Sequence, residues 1–196
     1  VASDGKLGSG ADAYYMPDNL GNAKNYGFEI DVVKYIRHFG IKVNYTYTHS
    51  AITTTKREYK EGSAEYKQGV TQTRPLVNQA PHTANLSLLY KDTNYGWNAQ
   101  LAASYTGTKL ALVSPFKDAD QWDKAMFGLD LSAEKKFDCG VSIFMKANNL
   151  LDAKRERYLK TVNESNLQYE GQRSDKTIVG TYKYGRTFLV GVRVKL

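Results

Sequence analysis

Three histidines (His38, His49, His82) and three closely spaced aspartates (Asp118, Asp120, Asp123) are the residues here whose types and spacing first suggest chemistry. His49 and His82 stand at the two roots of one long connection and could meet around a metal, but they read more simply as solvated loop-base side chains. The aspartates offer oxygen ligands of the kind Ca²⁺ takes, yet the glycine turn and closing glutamate of a calcium loop are missing. Asp130 and Lys146 fall on the polar faces of neighbouring strands and are expected to oppose each other. Such a cross-strand pair contributes about 0.2–1 kcal/mol and reads as structural rather than as a proton relay. Cys139 is the single cysteine, so it has no disulfide partner and no companion for a zinc site. The sequon matches at Asn44, Asn85 and Asn163 read as coincidence, since the first two lie within strands. No nucleophile, base and orienting group come together, so the chain reads as no enzyme, with no catalytic residue, metal ligand or cofactor assigned.

Recognition chemistry is concentrated in the long connections. The first carries Arg57, Tyr59, Tyr66 and Arg74, the second Trp122, and the third Arg155, Arg157 and Tyr158. A guanidinium fork grips carboxylate or phosphate at two points, and aromatic rings stack on sugars or planar cofactors. These eight are the candidate ligand contacts.

The formal net charge is +7 and the pI is about 9.3. The cations are spread over turns and loops, and no helix-turn-helix, zinc-finger or RNA-binding signature accompanies them, which argues against a nucleic-acid partner. Tyrosine is abundant at 15 residues and proline scarce at 4, a balance that suits strands and membrane–water boundaries. No apolar run approaches the roughly 18 residues of a membrane helix. The opening Val1-Ala2-Ser3-Asp4-Gly5 lacks the basic and apolar regions of a signal peptide, so the true start is expected upstream or a leader removed.

The positioning elements announce themselves by period-two alternation. Tyr26, Phe28, Ile30 and Val32 share one face; Ile41, Val43, Tyr45 and Tyr47 continue it after a turn. The pattern returns at Ala84, Leu86, Leu88, Tyr90, then at Trp97, Ala99, Leu101, Ala103, Tyr105. It recurs at Phe127, Leu129, Leu131, Ala133, at Val141, Ile143, Met145, Ala147, and at Phe188, Val190, Val192, Val194, Leu196. Seven antiparallel strands of about ten residues follow, enough to cross a thin hydrocarbon band when tilted.

Short connections (37–40, 91–95, 136–140) alternate strictly with long polar ones (50–81, 107–123, 152–181). Transmembrane barrels show this asymmetry, with tight periplasmic turns and long external loops. Tyr26, Tyr47, Tyr105 and Phe127 then mark the external ends of strands, and Tyr90, Trp97 and Phe137 the periplasmic ends, as two aromatic girdles. Seven strands do not close a bacterial barrel, whose strand number is even and at least about eight. The chain therefore reads as part of something larger. Residues 1–24, rich in Gly, Ser, Asp and Asn, read as an external loop segment, and residues 25–196 as barrel strands. Two alternatives stay open: a small stand-alone outer-membrane barrel, structural or enzymatic, and a soluble β-sandwich binding a partner through its loops.

The run Asn148-Asn149-Leu150-Leu151-Asp152 and the terminal stretch from Gly185 to Leu196 resemble the closing strands of TonB-dependent outer-membrane receptors, in the style of Bacteroides-like bacteria. Asn25-Tyr26-Gly27-Phe28-Glu29 and Ala80-Pro81-His82-Thr83 fit the same family. The resemblance implies an all-β, antiparallel transmembrane barrel of about 22 strands with a plugged lumen, of which this chain supplies the last seven or so. It also implies import of a scarce nutrient (iron chelate, haem, vitamin or glycan) across the bacterial outer membrane. The implied partners are outer-membrane lipid, the remaining strands, an N-terminal plug, TonB through that absent part, and a surface lipoprotein as an optional addition. The expected assembly signal is Gly191, Val192, Val194 and Leu196, with leucine standing where the family usually ends on an aromatic ring.

Overall fold

Alternation needs one thing to become structure: neighbouring strands whose apolar positions fall into register. The computed structural model describes residues 22–59, 66–160 and 177–195, and in it this condition is met along a single meander. The wall strands are β1 (Ala23–Ile36), β2 (Phe39–Tyr59), β4 (His82–Asp92), β5 (Trp97–Thr106), β8 (Met126–Lys136), β9 (Val141–Asn148) and β12 (Thr187–Val194). They pair antiparallel in that order, and β3 (Tyr66–Arg74) adds to the outer half of β2.

Register lines up the apolar residues across the sheet. Val32, Val43, Leu86, Ala103 and Leu129 form one row. Leu88, Leu101, Leu131, Ala147 and Phe188 form another. The opposite face carries Lys42, Ser87, Ala102 and Asp130 in register. Because successive side chains alternate sides, a slip of one residue would exchange these faces completely.

This wall has no interior. Among the described residues the buried hydrophobic side chains are only Leu110 and Ala147, while Phe28, Leu88, Ile143 and Val190 lie open to the surroundings. A β-sandwich would bury one face of every strand, whereas β1 is exposed along its whole length. The sandwich alternative is therefore not what forms. Within the described residues β1 and β12 each have one wall neighbour and do not pair with each other, so the seven strands remain an open sheet.

The short turns match expectation. Arg37 and His38 connect β1 to β2, with Arg37 in the left-handed region at φ 54°. After β4 the Asp92 carboxylate accepts the backbone N–H groups of Asn94 (3.0 Å) and Tyr95 (3.1 Å), a side chain closing the turn. Gly96 completes that turn at φ 67°, where a Cβ would meet the Lys136 carbonyl. Rings meet near both ends of the wall: Tyr105 with Phe127 at 4.7 Å and Phe28 with Tyr47 at 5.7 Å on the long-connection side, and Phe39 with Tyr90 at 5.1 Å at the short-turn end.

Three expectations are corrected. The long connections carry strands of their own: the outer half of β2 with β3, then β6 (Lys109–Leu112) and β7 (Gln121–Asp123), then β10 (Lys154–Leu159) and β11 (Ile178–Lys183). Segment 1–24 overlaps β1, since Ala23 and Lys24 pair with Ile52 and Ala51; residues 1–21 lie outside the described residues. Asp130 and Lys146 do not oppose each other. Lys146 faces Ser132, and the Asp130 carboxylate instead accepts the N–H of Asn149 at 2.8 Å.

Candidate functional site

The described parts of the three long connections share one end of the wall and assemble there into a canopy. β2 runs 21 residues, about 70 Å at about 3.3 Å per residue, far beyond an apolar band of about 25 Å. Its outer half and β3 form an arm. Beside the arm, β11, β10, β7 and β6 make a separate four-stranded sheet in that order.

The second connection is fastened to the arm along its backbone. The N–H of Arg57 donates to Pro115 O (2.9 Å), and the N–H of Lys117 donates to Arg57 O (2.8 Å). Below this ladder Lys56 Nζ meets Asp120 Oδ1 at 2.6 Å, with side chains only 2% and 4% exposed. The same oxygen accepts the Ser114 N–H at 2.8 Å. Lys117 pairs with Glu58 at 2.7 Å, and that hydrogen bond raises the lysine's pKa above its ordinary value. Gln72 donates to Asp118 at 3.2 Å.

The small sheet is pinned by one carboxylate. Asp123, 2% exposed, accepts Arg155 Nη2 at 2.6 Å and Nε at 3.0 Å, and on its other oxygen Arg157 Nε at 2.9 Å. Burial, the largest single influence, pushes the Asp123 carboxyl up, but the hydrogen bonds and charges of Arg157 and Arg155 together outweigh it. They hold the group below the usual carboxylate value. Arg155 is raised in turn, chiefly by its hydrogen bond to Asp123. Leu110, fully buried, is the apolar anchor beside this network, and its carbonyl accepts the Asn78 N–H at 2.7 Å.

The eight candidate ligand contacts fall in two groups. Trp122, Arg155, Arg157 and Tyr158 come together in the small sheet, where Trp122 lies opposite both Leu110 and Tyr158 and its ring sits 4.7 Å from Lys160 Nζ. Both guanidinium groups already hold Asp123, so a ligand acid at that point would compete with an existing pair. Arg57, Tyr59, Tyr66 and Arg74 belong to the arm. Tyr59 and Tyr66 face each other across β2 and β3, and their side chains lie outside the described residues. Arg74 is buried, with Nη1 donating to Pro75 O at 3.2 Å and Nε without a partner among the described residues.

The three aspartates do not converge on a cation; Asp118, Asp120 and Asp123 go separately to Gln72, Lys56 and the arginine pair. Nor do the histidines form a pair. His49 lies 4.9 Å from the Tyr26 ring, while Tyr45 OH and His82 Nδ1 are 2.8 Å apart. Sequence reasoning missed Lys56 and Glu58 entirely. The signal that could have found them is the β-branched run Ile52-Thr53-Thr54-Thr55, which favours continuing the strand past Ser50.

Of the expected assembly residues, Val192 and Val194 point outward from β12 at 64% and 59% exposure. Gly191 has a local reason to be glycine, since the Phe144 ring of the neighbouring strand lies across it and a Cβ would collide with that ring. Leu196 lies outside the described residues.

A family model described as TonB dependent receptor-like, beta-barrel, matches residues 1–150, which covers six of the seven wall strands. The chain belongs to this family. It is thus an all-β portion of a TonB-dependent receptor barrel, and the canopy stands on the receptor's long-connection side. No curated protein and no solved structure matches the chain.

Proposed function

We propose that this chain forms part of the wall and outer canopy of an active importer in the bacterial outer membrane. The single-layer sheet carries the reading: rows of apolar side chains run in register across the wall strands, and among the described residues the wall encloses no interior core. Such a surface is stable against lipid and unstable against water. The wall's polar face then lines a lumen occupied by an N-terminal plug. TonB reaches that plug from the periplasmic side, supplying energy for uptake of an iron chelate, haem, a vitamin or a glycan. Chemistry on the substrate is not part of the role, and nucleic acid is not a partner. Substrate contact falls on the canopy, at Arg57, Tyr59, Tyr66, Arg74, Trp122, Arg155, Arg157 and Tyr158, and a surface lipoprotein is an optional partner.

The test is uptake by the intact receptor in cells lacking their own copy. Each nutrient class is offered singly, with and without collapse of the proton-motive force. Uptake of one class that stops when the force is collapsed supports the proposal. Uptake that continues unchanged would identify a passive pore instead.

A further inference from the structure

The outward face of the wall is not uniform. Near the short-turn end it carries a depression of about 460 Å³, walled by Ile41, Leu88, Tyr90 and Leu101, floored at Ala99 and edged by Lys34. Its cause is local. Ala99 lies in register between Tyr90 and Ala133, so a small side chain stands beside large ones on the same face. Lys34 belongs to the apolar face by register, opposite Ile41, and sits two residues before the end of β1.

A second lysine on this face shows what a cation there normally does. Lys135 Nζ donates to the Tyr95 carbonyl and lies over the rings of Trp97 (5.2 Å) and Phe137 (5.6 Å). Lys34 has no comparable partner among the described residues, though it stands at the lip of an apolar hollow. A lysine on a lipid-facing surface sends its ammonium to the headgroup level while its stem stays among apolar groups. The Phe39 and Tyr90 rings, 5.1 Å apart, mark that level beside it.

We propose that this depression seats one glycerophospholipid of the periplasmic leaflet, its acyl chain against Ala99 and its phosphate on the Lys34 ammonium. The proposal rests on the membrane-wall reading above. The periplasmic leaflet is chosen because Lys34 lies at the short-turn end, opposite the canopy. An apolar trough with one cation at its edge matches a molecule with an apolar tail and one anionic head.

The test uses the intact receptor, inserted into vesicles of phosphatidylethanolamine and phosphatidylglycerol, then extracted in mild detergent and weighed by native mass spectrometry. Lys34→Gln should lower phospholipid retention about fivefold, the size of one lysine–headgroup attraction. Ala99→Phe, which fills the hollow, should lower it similarly. Lys146→Gln, on the opposite face, should leave retention unchanged. Equal retention in all variants overturns the proposal. A loss with Lys34→Gln alone also overturns it, by leaving a headgroup contact without a seat for the chain. A receptor dimer abolished by Ala99→Phe, with phospholipid unaffected, would assign the hollow to a second copy. Failure of the receptor to insert into vesicles at all would instead defeat the membrane-wall reading.

Discussion

In the wall, large apolar side chains such as Leu88 and Val190 face outward, at 50% and 73% exposure; in the canopy, the deepest positions hold Leu110 and the charged groups of Lys56, Asp120 and Asp123. The difference follows from the surroundings each part must satisfy. Wall strands need only satisfy their backbone bonds sideways and present an apolar face, because lipid accepts that face. The canopy stands in water with little apolar surface to bury, so buried ion pairs decide which segment docks on which. Buried pairs add little net stability against a hydrophobic alternative, yet breaking one is strongly destabilising. The wall should therefore tolerate many conservative changes, and the canopy few.

The largest effect is expected at the canopy clasp. Lys56→Met leaves the Asp120 carboxylate buried without its cation, the Ser114 N–H remaining to it among the described residues. Losing one member of such a pair costs about 3–5 kcal/mol, so amide exchange in residues 113–121 should accelerate at least about 100-fold. The double change Lys56→Met with Asp120→Leu should restore part of the protection. If the single change leaves exchange untouched, the clasp does not hold the second connection.

Next comes a contrast within the wall. Leu101 lies on the outward face between Leu88 and Leu131, while Gln100, one residue away, donates to Ser87 on the other face at 3.1 Å. Arginine at a lipid-facing midplane costs about 2–4 kcal/mol, whereas a lumen substitution mainly changes selectivity. Reversible unfolding of the intact receptor in phospholipid vesicles should show a large loss for Leu101→Arg and little for Gln100→Arg. Equal losses would reject the assignment of faces.

Acid should separate the two regions. The Asp123 carboxyl is held below its unfolded value, ordinarily about 3.9. Its contribution is therefore complete above that value and fades as pH falls through the depressed folded one. Amides of β7 and β10 should lose protection below about pH 4 while the wall strand β5 keeps its own, exchange rates being corrected for intrinsic pH dependence. In Asp123→Asn the acid-dependent step should vanish, leaving a sheet weakened at every pH.

The smallest expected effect lies in a turn. Arg37 sits at φ 54°, a region that disfavours a side chain by about 1–2 kcal/mol. Glycine there relieves the strain but loosens the unfolded chain. Arg37→Gly should therefore shift stability by about 1 kcal/mol or less in the vesicle assay, and a loss above about 2 kcal/mol would show that the Arg37 side chain holds the turn.

Alternation at Trp97–Tyr105 and Val141–Ala147 was legible because facing in a strand is local: it depends on residue type at every second position and needs no partner. The same holds for the short turns and for the last strand, and it suffices for an open antiparallel wall. The canopy was not legible. β6, β7, β10 and β11 are three to six residues long, too short and too charged for a periodic signal, and they exist because residues far apart in sequence pair. Lys56 meets Asp120 across 64 positions, and no pattern near either announces the other. Register was hidden for the same reason. Lys146 opposite Ser132, and not Asp130, reflects a two-residue shift that keeps every face unchanged, so alternation cannot distinguish it. Local sequence thus determined which side of each strand is apolar. Only the tertiary structure decided which strands meet, and hence that Arg155 and Arg157 close on Asp123 and that the Phe144 ring lies over Gly191.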